Sequence, residues 1–383
     1  MKFLHIADLH IGKKIYEQSL ILDQKYILNK ILEIALKEQV DAVVIAGDVY
    51  DRSIPPAEAV TLLDEFLTSL HREGIPVIAV SGNHDSPERL SFGDRILEEQ
   101  GLYISGGLQD PLRTVTIQDQ YGPVHFVLLP FVRPAVVGAV SSAEAVEMIL
   151  ARQPRSLSLN ERYVLVTHFF VVGDNGEAPE LSDSETDTQV GGLDGVPASL
   201  FQSFDYVALG HIHKPQHMGR GNVYYAGSPL KYSFSEAGVD KSVNIVELGA
   251  PGTVVQVRRV PLVPMHDMRC IKGSLRELMS PEALEANKEG IEDYLQVILT
   301  DQEELIDPIG TLRSVYPNVL SLVLEKNLQE ADGVYETRLT GKRKTAEELF
   351  GEFYQLLREE PLEGRRLEIV KEVASVCEGA YGA

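Results

Sequence analysis

Cysteine is nearly absent from this chain. Of its 383 residues only Cys270 and Cys377 carry a thiol. Two cysteines supply no disulfide framework and point to a reducing, cytoplasmic setting. The same scarcity argues against a thiolate zinc or iron–sulfur centre. Long apolar runs are missing too. None reaches the roughly 18 to 20 residues that span a bilayer, so no membrane partner is expected. The opening MKFLHIADLH has no basic region followed by a long apolar stretch, and it is not read as a signal peptide. Positive charge is short: 35 Lys and Arg stand against 57 Asp and Glu, a net charge of −22. Nucleic acid is usually gripped by clustered basic residues, so this surface alone is not expected to hold it. No GxxxxGK[ST] loop occurs, and any dependence on ATP has to come from a partner.

What is present suffices for a large core. The hydrophobic fraction is 44%, which excludes disorder as the global state and allows one large domain plus a smaller one. Apolar, β-branched runs of strand length fall at 2–7, 41–48, 74–85, 112–117, 124–129, 163–168 and 206–211. Helical spacing marks 20–38, 57–73 and 141–151. The alternation predicts an α/β fold with a sheet covered on both faces. The domain layout expected is 1–260 for the main domain, 261–325 for a small α/β domain, 326–344 for a linker and 345–383 for C-terminal helices. In the small domain, strands are predicted at 266–271, 293–299 and 319–325 and a helix at 274–288. Leu349, Phe350, Phe353, Leu356 and Leu357 lie at helical spacing, suiting packing on their own chain or docking to a partner. The polar, acidic, glycine-rich stretch at 170–199 is too long for an idle loop. It falls between two strands that end in candidate ligands, so it is expected to border the site, either shaping substrate or running as a surface excursion.

Five segments close with metal-type donors: DLH at 8–10, GDVYD at 47–51, GNHD at 82–85, TH at 167–168 and GHIH at 210–213. Most follow an apolar strand, which sets the donors along the carboxyl edge of a sheet. Asp8 and His10 are spaced i, i+2, as are His211 and His213, and an extended backbone would point each pair the same way. A carboxylate at Asp48 can bridge two ions, and the Asn83 amide oxygen can ligate without adding charge. Any one buried histidine is more simply a hydrogen-bonded core residue. The joint placement of Asp8, His10, Asp48, Asn83, His168, His211 and His213 at strand exits is what argues for a metal centre. Mixed carboxylate, imidazole and amide donors suit Mn²⁺, Fe²⁺ or Zn²⁺. Two adjacent ions fit phosphoester hydrolysis. A departing oxygen needs a proton; His84 is the candidate donor, with Asp85 orienting it or holding the turn. Arg52 could touch a phosphate or form a salt bridge. His5, His71, His125, His217 and His266 lack comparable context and are read as structural or exposed.

Taken together, DLHIG, GDVYDR, GNHDSPERL, THF and GHIHKPQ resemble the calcineurin-like metallophosphoesterase superfamily, and most closely its DNA-repair nuclease branch. The resemblance covers about 1–250 strongly and the rest in layout. It implies a sandwich of β-sheets flanked by helices, with a small α/β capping domain. It implies one ion on Asp8, His10, Asp48 and His213, a second on Asp48, Asn83, His168 and His211, and His84 as the catalytic histidine. Manganese is the metal implied. The implied partners are a second copy of the chain, DNA, and a coiled-coil ABC-type ATPase bound by the C-terminal helices. The activity implied is ATP-dependent 3′→5′ double-strand exonuclease, with single-strand endonuclease and hairpin opening. Some relatives place a second histidine shortly after the bridging aspartate; here Val49, Tyr50, Asp51 and Arg52 follow Asp48, and the part played by Asp51 and Arg52 is left open. The metal site alone fits a small-molecule phosphodiesterase or phosphatase equally well. A non-catalytic scaffold that only recruits an ATPase is a further alternative.

Overall fold

A computed structural model describes residues 1–153, 160–173, 175–186, 195–219 and 221–325, with scattered positions between 350 and 370. Two compact units divide the chain: Met1–Ile298 with Leu305–Leu322, and Leu299–Glu304 with Val323–Ala383. In the second unit residues 365–370 are helical. The expected linker at 326–344 and most of the expected C-terminal helices fall outside the described residues.

The first unit is built on two six-stranded sheets. In the first sheet the strands run Gln256–Pro261, Ser242–Glu247, Lys2–Ile6, Ala42–Ala46, Val77–Val80 and Leu102–Ser105 from edge to edge, the last four parallel. The second runs Gln216–Met218, Val223–Tyr225, Tyr206–Gly210, Arg162–His168, Gly122–Leu129 and Arg113–Asp119, with a parallel centre and antiparallel edges. Period-two alternation sorts their side chains. Leu4, Ile6, Val43, Ile45, Val77 and Ala79 face the helices. Phe3, Val44, Ala46, Ile78 and Val80 face Val124, Phe126, Leu128, Val164 and Val166 of the other sheet. Phe3 and Phe126 meet edge to face at 5.5 Å. Both are fully buried, so truncating Phe126 to alanine would cost about 3–5 kcal/mol. This layered sandwich bears out the α/β sandwich of sheets flanked by helices: the first sheet is covered on both faces, by helices on one and by the second sheet on the other. Strands buried on both sides read as continuous apolar runs whatever covers them.

Helices Ile21–Glu38 and Ala57–Arg72 cover the first sheet. Ile27, Leu28, Ile31 and Ala35 on one, and Ala59, Leu62, Leu63, Phe66 and Leu70 on the other, form the stripes they bury. A three-stranded sheet follows, in the order Met268–Gly273, Tyr294–Leu299, Val319–Leu324. The single helix expected at 274–288 is broken into Leu275–Leu278, Pro281–Ala286 and a 3₁₀ turn at Lys288–Gly290. Ser280 caps the second piece through the Ala283 amide, and Pro281 at its first turn cannot continue the helix before it. Pro134–Ala151 passes as a candidate membrane span by length and mean hydropathy alone, although Ser141, Ser142, Glu144 and Glu147 interrupt its apolar run. It forms two short helices, Pro134–Val137 and Ser142–Ala151, parted at Gly138 with φ of 77°; Ala145, Val146 and Ile149 of the second are buried.

Candidate metal centre

Parallel strands of both sheets end at one edge. From the first sheet, Lys2–Ile6 leads to Asp8 and His10, Ala42–Ala46 to Asp48, and Val77–Val80 to Asn83, His84 and Asp85. From the second, Arg162–His168 ends on His168 and Tyr206–Gly210 leads to His211 and His213, with Gly210 opposite His168 in register. The backbone at these exits is not extended. Asp8, His10, Asp48 and His211 have φ of 53°, 43°, 48° and 97°. Non-glycine residues rarely occupy this left-handed region, at a cost of order 1–3 kcal/mol each. Asp8 and His10 therefore converge by left-handed turns, not by the i, i+2 alternation of a strand. Gly47, with φ of 86°, lets the two sheets close up: a Cβ there would overlap the His168 ring.

The donors meet tightly. His10 Nε2 lies 3.2 Å from His213 Nε2 and 3.6 Å from Asp48 Oδ2. The same Asp48 oxygen is 3.3 Å from His168 Nε2. Asn83 Oδ1 is 3.0 Å from both His168 Nε2 and His211 Nδ1. Three overlapping triplets have donor atoms within 4.8 Å of one another: Asp8/His10/His213, His10/Asp48/His84 and Asp8/Asp48/His168. Asp48 thus faces both halves of the cluster. Asp8 Oδ2 is buried without a hydrogen-bond partner. A buried carboxylate oxygen left bare, among imidazole nitrogens aimed at one another, fits cations between these groups. The His/Asp clusters form a binuclear metal-binding site.

Electrostatics agree. Burial drives His10 well below its ordinary range, and burial with the neighbouring His168 lowers His211 to about 3. Both are neutral and free to ligate. Burial opposes ionisation of Asp48, but the imidazoles of His168, His10 and His84 hold its carboxyl well below the usual range. For His168 burial works downward, yet the Asp48 carboxylate raises it to about 9. Burial raises Asp8 to about 7.

His84 borders this cluster and is one-third exposed, its Nε2 3.9 Å from Asp48 Oδ2. Its Nδ1 donates to the Asp51 carbonyl at 2.9 Å, which orients the ring. Asp85 acts elsewhere: Oδ2 accepts from the amides of Val49 (3.1 Å) and Gly82 (2.9 Å), and Oδ1 from that of Tyr50 (2.9 Å). Of the two roles open to Asp85, holding the turn is the one its contacts serve. Its contacts are those of a positioning residue. The Asp51 carboxylate faces His10 Nδ1 at 3.6 Å and pairs with Lys13 at 2.8 Å. Arg52 is 76% exposed beside Asp51, 3.5 Å away. His5, read as structural, is buried against the Tyr206 hydroxyl at 2.9 Å. His213 is gripped from behind by Ser184, Glu185 and Lys241, which no sequence motif singles out. For Ser184 and Glu185 the one signal is the acidic stretch lying between two ligand-bearing strands; Lys241 lies outside it.

Comparison with known proteins gives this architecture its class. Residues 1–215 match the calcineurin-like phosphoesterase family, and the chain belongs to it. Residues 264–357 match a family described as the type 5 capsule protein repressor C-terminal domain. Within the class, the chain is homologous to bacterial SbcD, the D component of the nuclease SbcCD. It is 34% identical over 336 residues to that component in Staphylococcus epidermidis, covering 84% of this chain and 85% of that protein. It is 35% identical over 330 residues to its counterpart in Staphylococcus saprophyticus, covering 84% of each. A dimetal phosphatase from Danio rerio is a structural neighbour at 16% identity and a TM-score of 0.39, over 67% of this chain and 98% of that one.

Proposed function

We propose that this chain is the nuclease component of an SbcCD-like complex, hydrolysing DNA phosphodiesters in repair, recombination and replication. The observation that carries the reading is the convergent donor set on Asp48, in a chain that matches SbcD components of the nuclease SbcCD over most of both lengths. Asp8, His10, Asp48 and His213 would hold one ion, and Asp48, Asn83, His168 and His211 the other, with Mn²⁺ the proposed metal at both. Bound there, two divalent cations would supply a deprotonated water and positive charge for the phosphate oxygens. Asp48 is the shared carboxylate. The His168 ring is oriented by its Nδ1–H bond to the Ala46 carbonyl at 2.8 Å, and Nε2 faces the site. His84, tied through Nδ1 to Asp51, keeps Nε2 toward solvent and the Asp48 side. From there it would give a proton to the departing oxygen.

The acidic surface asks for help with DNA. The proposed partner is an SbcC-type ABC ATPase whose coiled coil is bound by the 345–383 helices, beyond the linker at 326–344 and the capping domain at 261–325. The proposed assembly is a homodimer of this chain within a cytoplasmic heterotetramer. Its proposed activities are ATP-dependent 3′→5′ double-strand exonuclease, single-strand endonuclease and hairpin opening. The test presents metal-loaded protein, with and without the ATPase, with a hairpin duplex and a small chromogenic diester. Hairpin cleavage that requires ATP and the partner is expected; turnover of the diester alone would refute the nuclease reading in favour of a small-molecule phosphodiesterase.

A further inference from the structure

His213 is held at every handle it has. Its backbone N–H donates to Glu185 Oε1. Its backbone carbonyl accepts from Lys241 Nζ at 2.9 Å. Its ring Nδ1 lies 2.9 Å from Ser184 Oγ. Ser184 Oγ in turn donates to Glu236 Oε1 at 3.0 Å, and Glu236 Oε2 accepts from Lys241 Nζ at 2.5 Å. Ser184 Oγ also lies 2.7 Å from Ser182 Oγ, which itself reaches Glu236 Oε1 at 3.3 Å. A carboxylate paired with an ammonium can only accept, and a Ser184 hydroxyl that gives its one hydrogen to Glu236 or to Ser182 has only lone pairs left for the imidazole. In that arrangement His213 carries its proton on Nδ1 and presents a bare Nε2, the atom that faces His10 Nε2.

The other half of the site is braced differently. The His168 ring is set by the carbonyl of Ala46, inside a central strand of the first sheet. Ser184 and Glu185 belong to a single turn, Asp183–Thr186. That turn is pinned by the Ser182 amide on Glu185 at 2.6 Å and by the Asp183 amide on the Ser235 hydroxyl at 2.9 Å.

We propose that the turn Asp183–Thr186 is a working part of the metal centre: Ser184, backed by Glu236 and Lys241, sets the ring of His213, so that one of the two cations depends on this turn and the other does not. The proposal rests on the ligand assignment above. It also makes the acidic stretch neither a substrate-shaping loop nor a surface excursion at this point, but a brace behind a ligand. Ser184, Glu185, Glu236 and Lys241 are positioning residues.

Manganese titration of the full chain by calorimetry tests this, with d–d absorption of the cobalt-loaded protein as a second readout. Ser184→Ala is expected to weaken one of two binding events by about 10- to 100-fold, the usual effect of removing a partner of a ligating histidine, and to leave the other unchanged. It should also shift the cobalt spectrum, and Ser184→Thr, which keeps the hydroxyl, should restore both. Glu236→Gln provides a second variant with the same expected selectivity. Two unchanged affinities in Ser184→Ala, or equal weakening of both, would overturn the proposal. His10→Ala separates the two levels. If it still binds two ions, the ligand assignment fails; if it loses one while Ser184→Ala loses none, only the role of the turn fails.

Discussion

Asp85→Asn isolates what a buried brace contributes. The carboxylate takes three backbone N–H bonds, from Val49 and Gly82 on one oxygen and from Tyr50 on the other, at 2.9 to 3.1 Å. An amide has one oxygen. Placed where Oδ2 now lies, it keeps two bonds and turns its NH₂ against the Tyr50 N–H. Losing one charge-assisted bond and burying two opposed donors should cost about 2–4 kcal/mol. Asp85→Ala strands all three amides and should cost more, about 4–6 kcal/mol. Urea unfolding of the metal-free protein measures both. The loop that shifts carries Asp48, so manganese titration should show both ions weakened in step with the lost stability. An Asn variant within about 0.5 kcal/mol of the parent, the range of an ordinary surface change, would refute the brace. So would an Asn variant as damaged as the Ala one. A displaced pH–rate limb with stability intact would return Asp85 to the role of partner to His84.

His84→Ala should retain both metals and lose about 10²- to 10⁴-fold in hydrolysis; metal content falling in step with activity would contradict its place outside the ligand set. Asn83→Ala removes the oxygen 3.0 Å from His168 and His211, and should weaken one binding event in a metal titration, with unchanged affinity refuting the assignment. Cation binding should also expel protons. His168 is raised to about 9 by Asp48 despite its burial, and Asp8 is raised to about 7 by burial. Both hold protons below those values and must release them to ligate. Affinity should therefore rise with pH through this window, with about one proton released near pH 8 and more below pH 7. Calorimetry in buffers of different ionisation enthalpy counts them, and zero release across the range would refute the assignment.

The strands and the donors at their ends are legible in the sequence because both signals are local. VVIAG before Asp48 and YVLVT before His168 are apolar runs that stop at a polar residue. Whether a fully buried strand meets a helix layer or a second sheet is a long-range fact, which a continuous apolar run does not encode. The left-handed backbone at Asp8, His10, Asp48 and His211 is equally hidden, since these residue types do not advertise it as glycine, which adopts it freely, can. It is imposed by the packing around them. The brace on His213 draws on Ser184, Glu185, Glu236 and Lys241, brought together by the fold across more than fifty residues of chain. The helix break at Ser280 and Pro281, by contrast, is written in the residues, where apolar spacing alone masks it.

The two sheets are fastened at opposite margins by unlike means. At one, buried Arg162 of the second sheet binds Asp119 and reaches across to the Gly249 carbonyl at 2.9 Å, beyond a strand of the first. At the other, carboxylate and amide donors from one layer interleave with imidazoles from its neighbour. Cations seated there would act as rivets through both layers. Stripping them with a chelator should loosen the sandwich selectively at its reactive rim, as faster amide exchange around Asp48 and Gly210, while the arginine hinge opposite stays shut.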